Sequence, residues 1–432
     1  MNFKQLAQII LITGVLLLTG CSDNGNGKDT TATTEQSVSV SGENSIDADA
    51  MIEDLNTLAD SLEKNHKDLF ANLSKEDFLA EKDKIAAEIP NMSETEFYYA
   101  LKHLVSLVGD AHTSVFYSDS EYKHLRTLPI AIETFEEDWY LMMVDVQNEP
   151  FLGTKVVAIN DVPIDELFEK TKTIVSFENE ALVKSNFSQT ISFIEALMYL
   201  GVAKADEPVV YKVEMQDGTE KSFEVNPLTE RGILTAELEI FEGATYAKTW
   251  QEGIYRALSV DADTLFIQYN ACEESPELSM SDFTESIKKE LNTNAYKTLI
   301  LDLRYNGGGN SELIRPMIDM LKEAKTSHAF SVYTLIGKST MSSAIINAIQ
   351  FKDELDATLV GNPTGGNVNH FGELQFLELP NTKIAVSYST KYFELITGYD
   401  KDSLYPDVEI TQTYDDYLAG KDTAVEWVLK NE

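Results

Sequence analysis

Residues 297–309 read Lys297-Thr298-Leu299-Ile300-Leu301-Asp302-Leu303-Arg304-Tyr305-Asn306-Gly307-Gly308-Gly309. The apolar run from Leu299 to Leu303 suits a strand covered on both faces, as in a parallel sheet flanked by helices. Three glycines follow, and then a segment with helical character over 311–324. Glycines at such a turn let the backbone adopt positive φ and leave N–H groups uncovered, which is how an anion or an oxyanion is held. Three in a row exceed what a tight turn between strand and helix requires. No Gly-Lys-Ser/Thr follows and the spacing is not GxGxxG, so neither nucleotide-phosphate loop is present.

Outward from this stretch the same alternation continues. Residues 264–270, 328–337 and 357–362 read as strands, and 311–324 and 342–353 as helices, which predicts an α/β core from about residue 229 onward. Within it, Gly337-Lys338-Ser339-Thr340-Met341-Ser342-Ser343-Ala344 is a strand end, a short polar turn and a helix start rich in small residues. A serine there faces the free N–H groups of a new helix, a suitable position for a nucleophile. It is also where serines commonly cap helices, and the local sequence leaves both readings open.

Upstream, residues 129–228 contain short strands (140–146, 155–161, 209–215, 221–227), with a hairpin turn at Asp217-Gly218 and a helical stretch over 164–200. Residues 46–108 are helical by periodicity, with Met51, Leu55, Leu58 and Leu62 on one face and a capping box at Ser93/Glu96. That region closes on Gly109-Asp110-Ala111-His112-Thr113. His112 is a candidate base or simply a structural histidine. None of the six histidines lies in HExxH spacing, which argues against a zincin-type centre.

The N-terminus begins with Lys4 and an apolar stretch from Leu6 to Leu18, ending in Leu18-Thr19-Gly20-Cys21. This is the form of a secretory signal, too short and too early for an ordinary spanning helix. It resembles the bacterial lipoprotein signal, in which the cysteine is lipidated and becomes the mature N-terminus. The Ser-, Thr-, Gly- and Asn-rich stretch that follows reads as a tether. The chain carries 34 Lys+Arg against 72 Asp+Glu, a net charge of −38, which excludes a basic face for nucleic acid or a polybasic membrane patch. Two cysteines, Cys21 and Cys272, can form neither a disulfide framework nor a Cys₄ or Cys₂His₂ zinc site.

Taken together, DLRYNGGG, the TMSSA turn, VGNPTGG (360–366) and a closing Pro406-Asp407, in that order, resemble the serine peptidase family of C-terminal processing (tail-specific) proteases and the tricorn core. The resemblance covers roughly residues 50–430. It implies an α/β (α+β multidomain) chain: signal 1–21, tether 22–47, an N-terminal helical region 48–128, a degenerate PDZ-like module 129–228 around GTKVVAIND, and a ClpP/crotonase-like α/β peptidase core 229–432. It implies Ser342 as nucleophile, with an oxyanion hole from the Ser343 N–H and one from Gly307 or Gly308. The lysine base of the processing branch is missing from Pro363-Thr364-Gly365-Gly366-Asn367-Val368-Asn369-His370. The histidine of the tricorn-like branch matches His112, and that branch's carboxylate matches Asp400, with Asp402 in reserve.

The expectation is therefore a lipid-anchored, extracytoplasmic serine endopeptidase acting on peptide or protein substrates through an acyl-enzyme, with no metal or cofactor required and no nucleic-acid partner. Its activity should rise with an apparent pKa near roughly 6.5, that of an ordinary imidazole. The alternatives are a catalytically inactive peptide-binding lipoprotein of the same fold, or an esterase with the same machinery.

Overall fold

The computed structural model describes residues 46–117, 125–241 and 253–431. The signal-like segment, Cys21 and nearly all of the tether lie outside these residues. Among the described residues, no helix is long and apolar enough to cross a membrane.

The stretch quoted at the outset forms strand Thr298–Asp302, buried at every position, inside a six-stranded sheet. Its neighbours are Thr264–Tyr269 and Ser331–Ile336, both parallel to it; Thr358–Gly361 and Val408–Glu409 continue the parallel run, and Tyr255–Ser259 closes one edge antiparallel. Helices Met280–Thr293, Arg315–Lys325 and Ser343–Leu355 pack through Phe283, Ile287, Ile318, Leu321, Ala348 and Phe351 onto one core with Leu299 and Leu301. Helix Thr423–Lys430 brings Val425 and Val428 to the opposite face, against Phe266 and Ile300. Both faces are covered, which is why the strand carries no polar alternation.

Residues 131–240 build a seven-stranded antiparallel sheet. The hairpin predicted at Asp217-Gly218 is present as Val209–Glu214 and Glu220–Val225, with Gly218 at φ 79°. The stretch expected to be helical over 164–200 is broken: helix Ile164–Thr171 ends, an irregular segment runs to Asn179, and helices Glu180–Ser192 and Ile194–Tyr199 follow. Asn179 caps the second helix by accepting from the Leu182 N–H.

Helices Ala48–Asn65, Lys75–Glu88 and Glu94–Ser106 form the N-terminal layer, and the Ser93/Glu96 capping box is made. Their core is shared with Leu379, Ile384 and Val386 from a distant hairpin, His370–Glu378 and Ala385–Phe393. Strand Ser114–Phe116 joins that hairpin antiparallel, pairing Ser114 with Ser387. This three-stranded sheet fixes the GDAHT segment beside the hairpin.

Candidate active site

The turn after strand Ser331–Ile336 is held at every step. Thr340 Oγ1 donates to the Leu303 carbonyl (2.8 Å) and accepts from the Gly337 N–H (3.0 Å), while the Met341 N–H donates to the Asn306 carbonyl (3.0 Å). Ser342 follows at φ 53°, ψ −125°, a strained conformation for a residue with a side chain. Although it occupies the N-cap position of helix Ser343–Leu355, its hydroxyl makes no capping bond. Ser343 Oγ, by contrast, is committed to the Gly309 carbonyl at 2.6 Å. Of the two adjacent serines, only Ser342 keeps an uncommitted hydroxyl on a strained strand-to-helix turn.

The glycine loop lies directly against it. A Cβ on Gly308 would stand 2.8 Å from the Ser342 Cβ and 3.1 Å from the Ser343 nitrogen, so glycine there (φ 107°) keeps open the space in front of that first-turn N–H. The Gly308 N–H itself is donated to Asn306 Oδ1 at 2.9 Å, which leaves Gly307 of the two predicted donors. Cys272 fastens the loop from below: its N–H donates to the Gly308 carbonyl, its carbonyl accepts from the Asn310 N–H, and a Cβ on Gly309 would come within 2.5 Å of that carbonyl. The Cys272 thiol is buried against Asn306 and Asn347, and burial pushes it up to about 12.

His112 comes from the other side. Asp110 Oδ1 accepts from the His112 N–H (2.9 Å), and Oδ2 is bonded by His66 Nε2 (3.0 Å), Thr113 Oγ1 (2.5 Å) and Ser389 Oγ (2.7 Å). Burial alone would raise the Asp110 carboxyl, but these bonds and the nearby His112 hold it down at about 2. Ser387 Oγ donates to the His112 carbonyl at 2.7 Å, so the hairpin fixes the histidine's backbone. Ala111 shares one small apolar cluster with Met341 and Leu182, which places the immediate neighbours of His112 and Ser342 in the same packing unit.

The His112 side chain is 4 % exposed, and neither ring nitrogen has a hydrogen-bond partner among the described residues. Nδ1 stands 3.8 Å from Asp110 Oδ1 and 3.9 Å from Glu178 Oε1, beyond hydrogen-bond length to both. His370 stacks on the ring at 5.5 Å and 14°. Burial lowers the imidazole to about 4, partly opposed by Asp110 and reinforced by His370. Glu178 reaches the site from the irregular segment before Asn179; its Oε2 accepts from the Asn367 N–H at 2.8 Å, and burial pushes its carboxyl up to about 8. Glu178, Asn367 and His370 line a cavity of about 440 Å³ together with Lys67, Asn72 and Tyr392.

Asp400 does not join this group. It is exposed, in the irregular segment after Tyr399, while the carboxyl groups facing His112 belong to Asp110 and Glu178. Asp402 is turned outward as well, with its side chain accepting from the Tyr405 hydroxyl and its backbone carbonyl from Asn179 Nδ2. For Asp402 the physical reason is local: residues 402–404 are tied by Asn179 and by the Thr364 hydroxyl, which holds Ser403 and Leu404 inward and leaves the Asp402 side chain to solvent. Asp110 stood in the GDAHT segment without an assigned role. Glu178 had no signal beyond its position just before a helix-capping Asn.

Residues 263–410 match the model of Peptidase family S41. No curated protein sequence matches the chain. Among solved structures, the chain is similar to mature CPAF complexed with lactacystin, at 12 % identity and TM-score 0.62, covering 89 % of this chain and 97 % of that one. It is similar to mature CPAF alone at the same identity and TM-score, covering 89 % and 96 %. The photosystem II D1 C-terminal processing protease aligns at 13 % identity and TM-score 0.39, over 87 % of this chain and 98 % of its own.

Proposed function

We propose that the chain, whose residues 263–410 match the model of Peptidase family S41, is a serine endopeptidase of the tail-specific protease and tricorn-core kind, with Ser342 as nucleophile and His112 as base. The observation that carries the reading is the Ser342 turn: an uncapped hydroxyl at φ 53° beside the space that Gly308 keeps open before the Ser343 N–H.

Ser342 Oγ attacks the scissile carbonyl carbon and its proton passes to the neutral His112 imidazole. The carbonyl oxygen, now negative, takes the Ser343 and Gly307 N–H groups in the space before Gly308. His112 returns the proton to the leaving amine, and a water repeats the sequence to release the acyl group. Asp110 supplies the fixed negative charge that steadies the imidazolium at 3.8 Å, in the place the resemblance gave to Asp400. The PDZ-like module, residues 129–228, serves to capture peptide by strand addition at the edge of its antiparallel sheet.

The chain acts at the extracytoplasmic face of the membrane, held by a lipid on Cys21; the sequence Leu18-Thr19-Gly20-Cys21 supports this. C21A should move the protein from the membrane to the soluble fraction, and an unchanged distribution would remove the anchor.

The test of the activity is labelling by a fluorophosphonate together with hydrolysis of an unstructured protein. The expected result is that S342A loses both and keeps the circular dichroism of the parent. Full activity in S342A would refute the nucleophile, and a parent that neither labels nor hydrolyses would leave a peptide-binding shell.

A further inference from the structure

Asp110, His112 and Glu178 offer one oxygen, one nitrogen and one oxygen that all lie within 4.8 Å of one another. All three side chains are nearly inaccessible, at 0, 4 and 3 % exposure. The two separations from Nδ1, 3.8 and 3.9 Å, are too long for hydrogen bonds. Tetrahedral zinc binds nitrogen and carboxylate oxygen at about 2.0–2.2 Å, which sets a pair of its ligands about 3.3–3.6 Å apart, so side-chain shifts of a few tenths of an ångström would close these separations around one ion.

His112 supplies the independent sign that something belongs between them. It is 97 % buried, Nδ1 faces both carboxyl groups, and neither ring nitrogen is hydrogen-bonded among the described residues. Two acidic groups around an unbonded imidazole nitrogen are a mixed N/O donor set suited to a borderline cation and poorly suited to magnesium, which prefers oxygen and retains water. Outer partners are already in place: His66, Thr113 and Ser389 hold Asp110, and the Asn367 N–H holds Glu178. Glu178 also lines the cavity of about 440 Å³, which gives an ion a route from solvent. The net charge of −38 favours cations near the surface.

We infer that His112, Asp110 and Glu178 form an inhibitory site for a divalent transition-metal ion of the zinc class, which occupies Nδ1 of the base and draws its ring away from Ser342. The inhibition rests on the serine-peptidase reading; the metal site does not. No HExxH spacing announces the site, because Glu178 comes from the strand-rich module and the other two residues from the end of the N-terminal helices.

The experiment uses chelator-stripped full-length protein and Zn²⁺, with equilibrium dialysis and calorimetry as binding readouts and fluorophosphonate labelling as the second. One zinc should bind per chain in the parent and in S342A alike. E178Q should weaken binding at least tenfold and H112Q should abolish it, both with the parent's circular dichroism; H112N repeats the test should H112Q misfold. Millimolar Mg²⁺ should not displace the zinc. Labelling of the parent should fall with the same zinc concentration dependence as binding and return on adding chelator. No binding to the parent, or equal binding by parent, E178Q and H112Q, would overturn the site. Stoichiometric binding with undiminished labelling would overturn the inhibition while leaving the site. A zinc-free parent that never labels would instead count against the peptidase reading.

Discussion

Ser342 and Ser343 are neighbours with opposite fates, and the difference is one hydrogen bond. Ser343 gives its hydroxyl to Gly309 and thereby latches two loops together, whereas Ser342 is held in a conformation costing about 1–3 kcal/mol with its hydroxyl unspent. No pattern in the sequence separates them on physical grounds; the family resemblance chose Ser342, and the hydrogen bonds give an independent reason. His112 shows the reverse case. GDAHT marks it as a candidate base, but its environment was not legible there, because an imidazole near roughly 6.5 is the expectation for water and this one is buried. Burial disfavours its protonated form and lowers it to about 4. A base must be neutral to act, so activity is present above the folded pKa and lost below it. For the metal-stripped enzyme, kcat/KM should therefore reach half its plateau near pH 4 and stay flat from pH 6 to 8. A half-point at 6.5 would mean that the imidazole is solvated when free, and one above 9 would point to a lysine.

At the level of elements, the buried parallel strands and the helices between them were readable because covered strands are uniformly apolar and amphipathic helices repeat every three to four residues. What local sequence does not encode is where elements meet. The pairing of Ser114–Phe116 with Ala385–Phe393 spans more of the chain than any periodic signal, and the break that delivers Glu178 was hidden within a stretch that reads as helical. A second long-range tie governs the glycine loop. Arg304, two residues before Asn306, lies between two buried carboxylates, bonded to Asp302 at 2.9 and 2.8 Å and to Asp422 at 3.0 and 2.7 Å. Asp422 also caps helix Thr423–Lys430 through the Val425 N–H. Removing one member of such a group leaves a buried charge short of its partner. D422A should therefore lower the unfolding free energy by about 3–5 kcal/mol, read from a shifted urea midpoint. A change below 1 kcal/mol would show that Asp302 alone satisfies the guanidinium.

Across the whole molecule, the proposed base and nucleophile come from segments more than two hundred residues apart, and the hairpin 370–393 holds the His112 side of that arrangement. Its first strand begins with His370, which stacks on His112; its second supplies Ser387 and Ser389, which hold the His112 carbonyl and Asp110. Its turn is gripped by the first described helix, where the buried Asp54 carboxylate accepts from the Asn381 N–H (3.0 Å), Asn381 Nδ2 (3.0 Å), the Thr382 N–H (2.7 Å) and Thr382 Oγ1 (2.6 Å). Losing that carboxylate orphans several donors in a closed interface, at a cost on the order of 3 kcal/mol. Because the turn and the GDAHT segment belong to one three-stranded sheet, the loosening should spread along it. In D54A, amide exchange should accelerate both at residues 379–384 and at residues 110–116, while strand Thr298–Asp302 keeps its protection. Faster exchange confined to the turn would mean that the hairpin yields locally and that the base is positioned by the N-terminal helices alone.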